Sequence, residues 1–248
     1  MWLLNRLSWR RWYDQPATGG QALPDLDWDL GVYVAKSFVR NAAEYIRTTN
    51  FHINDCEDYL KKNFIKPLDQ YLTEQEFGRI LNTEGREIFD KYIQKINEDR
   101  NYSVNANYAW KYACTKTDRD VYQAMESLIH NFSSLQSRSG NQVPFSSVNF
   151  GLDTSEEGRM ISRSLMANIE AGLGHGETAI FPIAIMKLKK GITDKGSKNY
   201  DLFKQMCKVS AKRLYPNFIN VDAPFNLQYY KEGRPETHVS TINSSCGF

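Results

Sequence analysis

Apolar residues recur along this chain at two different periods, and the switches between them mark its elements. Between residues 33 and 48, Val34, Phe38, Ala42 and Tyr45 fall at helical spacing, which predicts a helix. Residues 51–100 are rich in charge, with Leu68, Tyr71, Leu72, Phe77, Ile80 and Leu81 at intervals, a pattern of surface helices. Thr117 is placed to cap a helix that carries Val121, Met125, Leu128, Ile129, Phe132 and Leu135 on one face. A strand over 143–150 follows, and Thr154 or Ser155 opens a second helix with Met160, Ile161, Leu165 and Ile169 buried and Gly172 near its end. The pattern then predicts a strand over 179–188, a helix over about 200–214 and a short strand over 218–221.

Strands alternating with helices in this way imply an α/β fold with parallel pairing through right-handed crossovers. Apolar residues at successive positions from Ile180 to Met186 fit a strand covered on both faces. Gly19, Gly20 and Pro24 punctuate the start, so residues 1–27 read as a leader.

Composition narrows the class. The chain has 248 residues and a formal net charge of +2, with no clustered basic stripe that would predict direct nucleic-acid binding. The basic run Lys187-Leu-Lys-Lys190 reads as a solvated strand end. Cys56, Cys114, Cys207 and Cys246 are scattered without a Cys-x-x-Cys pair, so no zinc site or disulfide framework is indicated, and a cytoplasmic protein with reduced thiols is expected. The longest apolar stretch contains Pro182 and is too short to span a bilayer, and the charged opening segment does not resemble a secretory signal.

The candidate chemistry concentrates before the first predicted strand of the second half. Arg138, Ser139, Asn141, Gln142, Ser146 and Ser147 supply a guanidinium fork, amides and hydroxyls in one run, which suits a ligand and equally suits a capped turn. The glycine-rich turn from Gly172 to Glu177 lacks the Walker lysine and the dinucleotide spacing, and its structural reading is a helix C-cap with a tight turn. His130 has no second histidine at metal-ligand spacing, and Cys114 and Cys207 read as small apolar residues.

Several blocks in order carry a family resemblance. Asp120-Val-Tyr-Gln-Ala-Met-Glu-Ser-Leu-Ile-His-Asn131, Asp153-Thr-Ser-Glu-Glu-Gly-Arg159, Gly174-His-Gly-Glu-Thr-Ala-Ile-Phe-Pro182, Ser210-Ala-Lys-Arg-Leu-Tyr-Pro-Asn217 and Asp222-Ala-Pro-Phe-Asn-Leu-Gln-Tyr-Tyr230 resemble the catalytic core of anaerobic (class III) ribonucleoside-triphosphate reductases. Val32-Tyr-Val-Ala-Lys-Ser-Phe-Val-Arg40 resembles an earlier family segment more weakly. The resemblance implies the first half of a ten-stranded α/β glycyl-radical-enzyme barrel, a parallel half-barrel, with an unmatched leader at 1–27, a mainly helical region at 28–111 and barrel core at 112–248.

The implied activity is reduction of ribonucleoside triphosphates to deoxyribonucleotides by thiyl and glycyl radical chemistry, an oxidoreductase step toward DNA replication. Arg138, Ser139, Asn141, Gln142, Ser146, Ser147 and Glu177 are its candidate substrate-binding residues, Glu177 as acceptor of a ribose hydroxyl. Cys246 follows Tyr229-Tyr-Lys231 about where the family places its radical cysteine, although no Met-Gly precedes it and no Arg follows. The complete family enzyme uses a glycyl radical, formate or thiol as reductant and structural zinc, none of them expected within this chain. Its partners are an iron–sulfur radical-SAM activase and either the missing C-terminal half or a homodimer partner, with no membrane. The chain alone is expected to be inactive, the alternative being a non-catalytic nucleotide-binding or assembly fragment.

Overall fold

The computed structural model describes residues 20–50, 56–66, 68, 79–134 and 145–227. The chain divides into two compact units, one made of Gly31–Val121 with Ser155–Glu157, the other of the remaining residues.

The first of these units is helical. It takes in most of α1 (Leu26–Thr49), α2 (Cys56–Leu60) continued by a π-helical turn (Lys61–Ile65), α3 (Thr83–Arg100) and the first half of α4 (Ala106–Ser134). Its centre is aromatic. Phe38 meets Trp110 edge-on at 4.6 Å between centroids, and Phe89 meets Phe38, Phe64 and Trp110 at 5.9, 6.0 and 5.2 Å. Such pairs add about 0.5–1.5 kcal/mol each beyond the area they bury. Of the predicted stripe Phe38 and Ala42 lie in this core, as do Leu68 and Ile80, and Val34 is buried outside this cluster, whereas Tyr71, Leu72 and Phe77 lie outside the described residues. The buried Glu157 carboxylate accepts from the N–H groups of Ile80 and Leu81 at 2.6 and 2.8 Å.

Thr117 caps nothing. Helix α4 begins eleven residues earlier, where the Asn105 side chain accepts from the N–H groups of Asn107 and Tyr108 at 3.0 and 3.2 Å. The Thr117 hydroxyl instead accepts from Asn41 Nδ2 at 3.0 Å, inside the core. Thr117→Val is expected to cost about 1 kcal/mol in thermal denaturation, the value of one internal hydrogen bond.

The other unit is the α/β part. Four strands, β1 (Gly20–Leu23), β2 (Phe145–Phe150), β3 (Ile183–Leu188) and β4 (Asn217–Asn220), form one sheet in the order β1-β2-β3-β4, every pair parallel. Helix α5 (Glu156–Ala171) connects β2 to β3, α6 (Tyr200–Arg213) connects β3 to β4, and a short α7 (Pro224–Leu227) follows. Residues 20–27, read from sequence as leader, contribute the first strand and the buried Asp25 and Asp27. Strand β3 starts at Ile183, later than the apolar run suggests, because Pro182 has no N–H to give a ladder and Ile180 is exposed.

The predicted positions Met160, Ile161, Leu165 and Ile169 of α5 are buried, as are Leu202, Met206 and Val209 of α6. Gly172 ends α5 with φ +83°, a left-handed conformation that glycine adopts without steric cost. Among the described residues no helix is long and apolar enough to cross a membrane.

Candidate functional site

Side chains alternate across a strand, and paired residues of a parallel sheet point to the same side. The register therefore sorts this sheet into two unlike faces. Val148, Phe150, Ala184 and Met186 share one face, all fully buried, and the apolar stripes of α5 and α6 are the surfaces suited to cover it. Ser147, Asn149, Ile183, Ile185 and Lys187 share the other. That second face is buried as well, with Asn149 and Lys187 at 0 % exposure and Ser147 at 1 %.

Burying such groups is costly unless they are paired. Lys187 Nζ donates to Asp25 Oδ1 at 2.6 Å, forming an ion pair with both members buried. Asp25 is pushed up to about 7, chiefly by burial; the Lys187 charge opposes the shift and the neighbouring Asp27 and Asp29 add to it. Ser147 Oγ, both polar atoms of the Asn149 amide and Asp25 Oδ2 have no hydrogen-bond partner among the described residues. An orphaned buried group costs about 1–3 kcal/mol, so these need a reason; on the apolar face Ser146 Oγ is likewise without a partner among the described residues.

The turn that follows β2 is held by buried polar groups. Asp27 accepts from Gly151 N at 2.8 Å, from Asp153 N at 3.3 Å and from Ser162 Oγ at 3.4 Å. It too is raised, to about 6, by burial and then by the Asp153 charge. Asn199 Nδ2 donates to the carbonyls of Gly151 and Asp153 at 3.0 and 2.9 Å, and its Oδ1 accepts from Arg159, whose guanidinium also grips Asp201 at 2.7 Å. Lys189 pairs with Asp222 at 3.0 Å. The basic run at the end of β3 is thus not a solvated end: Lys187 faces inward because alternation puts it there, and an acid waits at its tip.

Of the sequence-derived substrate candidates, Ser146 and Ser147 are both buried, but as neighbours in β2 they lie on opposite faces, Ser146 with Val148 and Phe150. Glu177 is exposed, and its carboxylate accepts from His175 N at 3.0 Å within its own turn. Arg213 locks that turn from the side, donating to the carbonyls of Glu170, Ala171 and Gly176 at 2.6, 2.9 and 2.8 Å, which makes it a helix C-cap. Arg138, Ser139, Asn141, Gln142 and Cys246 lie outside the described residues. Among the described residues no cluster of His, Cys, Asp or Glu could hold a metal ion, and burial pushes the Cys114 thiol up to about 11, the range of an unreactive thiol. Asn149, Asp25 and Lys187 were not legible as site residues, apart from the two-residue spacing of Ser147 and Asn149.

Comparison with known proteins gives this face a context. The chain is 37% identical over 113 residues to anaerobic ribonucleoside-triphosphate reductases of Salmonella typhimurium and of Escherichia coli, which covers 45% of this chain and 16% of each relative. It is 36% identical over 114 residues to the enzyme of that name from Enterobacteria phage T4, covering 45% of this chain and 19% of the relative. The matched segment is thus less than a fifth of the relatives' length. The family profile described as anaerobic ribonucleoside-triphosphate reductase matches residues 13–246, from inside the N-terminal segment through the last strand and beyond, and the chain belongs to that family.

Proposed function

We propose that this chain is part of an anaerobic ribonucleotide reductase that converts ribonucleoside triphosphates to deoxyribonucleotides, and that its share of the work is to bind the nucleotide against β2 and the segment leading into it. The observation that carries this reading is the family match over residues 13–246, which contains the whole parallel sheet. In this reading the sheet is the first part of a barrel completed by further strands. Arg138 supplies a charged fork for phosphate and Asn141 and Gln142 supply amides. Cys246 is the candidate site of the radical chemistry that the family employs, generated by an iron–sulfur activase.

The test is calorimetric titration of the chain with CTP. Arg138→Ala and Asn141→Ala should each lose affinity worth roughly 1.5–3 kcal/mol for a hydrogen bond to a charged group, while keeping the melting temperature of the parent. Unchanged binding in both variants removes this segment from the site. Anaerobic incubation of the CTP-binding chain with activase, S-adenosylmethionine and formate, alone and with the remainder of a relative supplied, then separates catalysis from binding. Deoxyribonucleotide that forms and vanishes with Cys246→Ser supports the reductase reading, and nucleotide binding without product under every condition supports the non-catalytic one.

A further inference from the structure

The polar face of the sheet holds more hydrogen-bonding capacity than the described residues use. Ser147 Oγ, Asn149 Oδ1, Asn149 Nδ2 and Asp25 Oδ2 are all buried without a partner among the described residues. Their positions are related: Ser147 and Asn149 are two apart on β2, and Asn149 pairs in register with Ile185, two residues before Lys187 on β3. The ion pair Lys187–Asp25 joins β3 to the end of β1, so it spans about 10 Å across the intervening β2, twice the spacing of neighbouring strands. Ser147 and Asn149 therefore present their orphan atoms on one face of β2, the face that also carries Lys187 of β3.

Their chemistry selects among the parts of a nucleotide. A triphosphate is best held by free cationic donors, and here the lysine of this face is already committed to Asp25. What remains is a hydroxyl, an amide that both donates and accepts, and a carboxyl oxygen. Sugar hydroxyls, each donor and acceptor at once, satisfy all of them. We propose that Ser147 and Asn149, beside the Asp25–Lys187 pair, are the residues that recognise the sugar hydroxyls of the bound nucleotide, an assignment that rests on the nucleotide reading above. A site built to pair a hydroxyl discriminates strongly against the analogue that lacks it, because its own buried groups are then left unpaired.

The experiment is calorimetric titration of the chain and of Ser147→Ala and Asn149→Ala with CTP, UTP, 2′-deoxy-CTP and 3′-deoxy-CTP. The parent should bind CTP at least tenfold more tightly than one of the two deoxy analogues, and both variants should lose CTP affinity until that preference disappears, with the analogue's affinity unchanged. The melting temperature of Ser147→Ala should equal or exceed that of the parent, since an orphaned hydroxyl is removed, so this variant carries the test if Asn149→Ala fails to fold. A preference for the ribonucleotide that survives in Ser147→Ala overturns the proposal while leaving the nucleotide reading intact. A change in CTP-to-UTP preference instead assigns these residues to the base and also overturns it. A parent that binds none of the nucleotides overturns the nucleotide reading, and the proposal falls with it.

Discussion

Replacing Lys187 with Met is expected to destabilise the protein by about 1 kcal/mol more at pH 8 than at pH 5, because above pH 7 it leaves the Asp25 carboxylate without its counter-charge, and taking up a proton there costs only about 1.4 kcal/mol per pH unit. The sign follows from the titration. Asp25 holds its proton to about pH 7 in the folded protein against an ordinary value of 3.8, so the stability it contributes is full below about pH 4 and is lost as the pH rises through 7. Removing the Lys187 charge, the main influence holding the value down, moves that loss further up and makes it larger. At pH 5 the carboxyl is neutral in both proteins and the lysine has little to offset. Urea denaturation at the two pH values reads the difference directly. The double variant Lys187→Met with Asp25→Leu should lose the Asp25 part of the pH dependence altogether, since the titrating group is removed together with its partner. A loss of equal size at both pH values would show that the lysine acts through packing alone.

The pair also shows where sequence reading stops. Lys187 and Asp25 are 162 residues apart, and nothing local to either announces the other. A lysine in a basic run reads as solvated until the register of β3 puts it on a buried face. Strand β1 was hidden for a similar reason: four residues among glycines and a proline give too short a pattern to register, and only pairing with β2 makes them a strand. Thr117 misled in the opposite sense, as its hydroxyl has the chemistry of a cap but is committed to Asn41 on α1. Where the signal is local it held. Helix α5 carries its start at Thr154 and Ser155, its buried stripe and its glycine stop within one continuous segment, and the structure follows it. The candidate site was half visible. Ser147 belongs to the polar run that drew attention to β2, but the period of two that excludes Ser146 from its face and admits Asn149 was equally present in the sequence.

Asp27→Ala should be more damaging than the loss of Lys187, for a different physical reason: it removes an acceptor instead of a charge partner. Asp27 is buried and takes the backbone N–H groups of Gly151 and Asp153 together with the Ser162 hydroxyl. Gly151 stands at φ +112°, where the chain leaves β2, so the carboxylate holds a turn that only glycine adopts easily. With alanine at 27 these donors are left without the acceptor, and at roughly 1–3 kcal/mol for each unsatisfied buried group the loss should reach about 3–5 kcal/mol. Asparagine retains one acceptor oxygen and should cost only about 1–2 kcal/mol. Since burial and Asp153 raise Asp27 to about 6 from 3.8, its ionisation costs the folded state stability between those pH values, and Asp27→Asn should flatten the stability profile there. Hydrogen exchange distinguishes the mechanism from general loosening. In Asp27→Ala the amides of Gly151 and Asp153 should exchange faster by more than the global destabilisation accounts for, whereas equal acceleration throughout the sheet would show that Asp27 merely fills space at the end of β2.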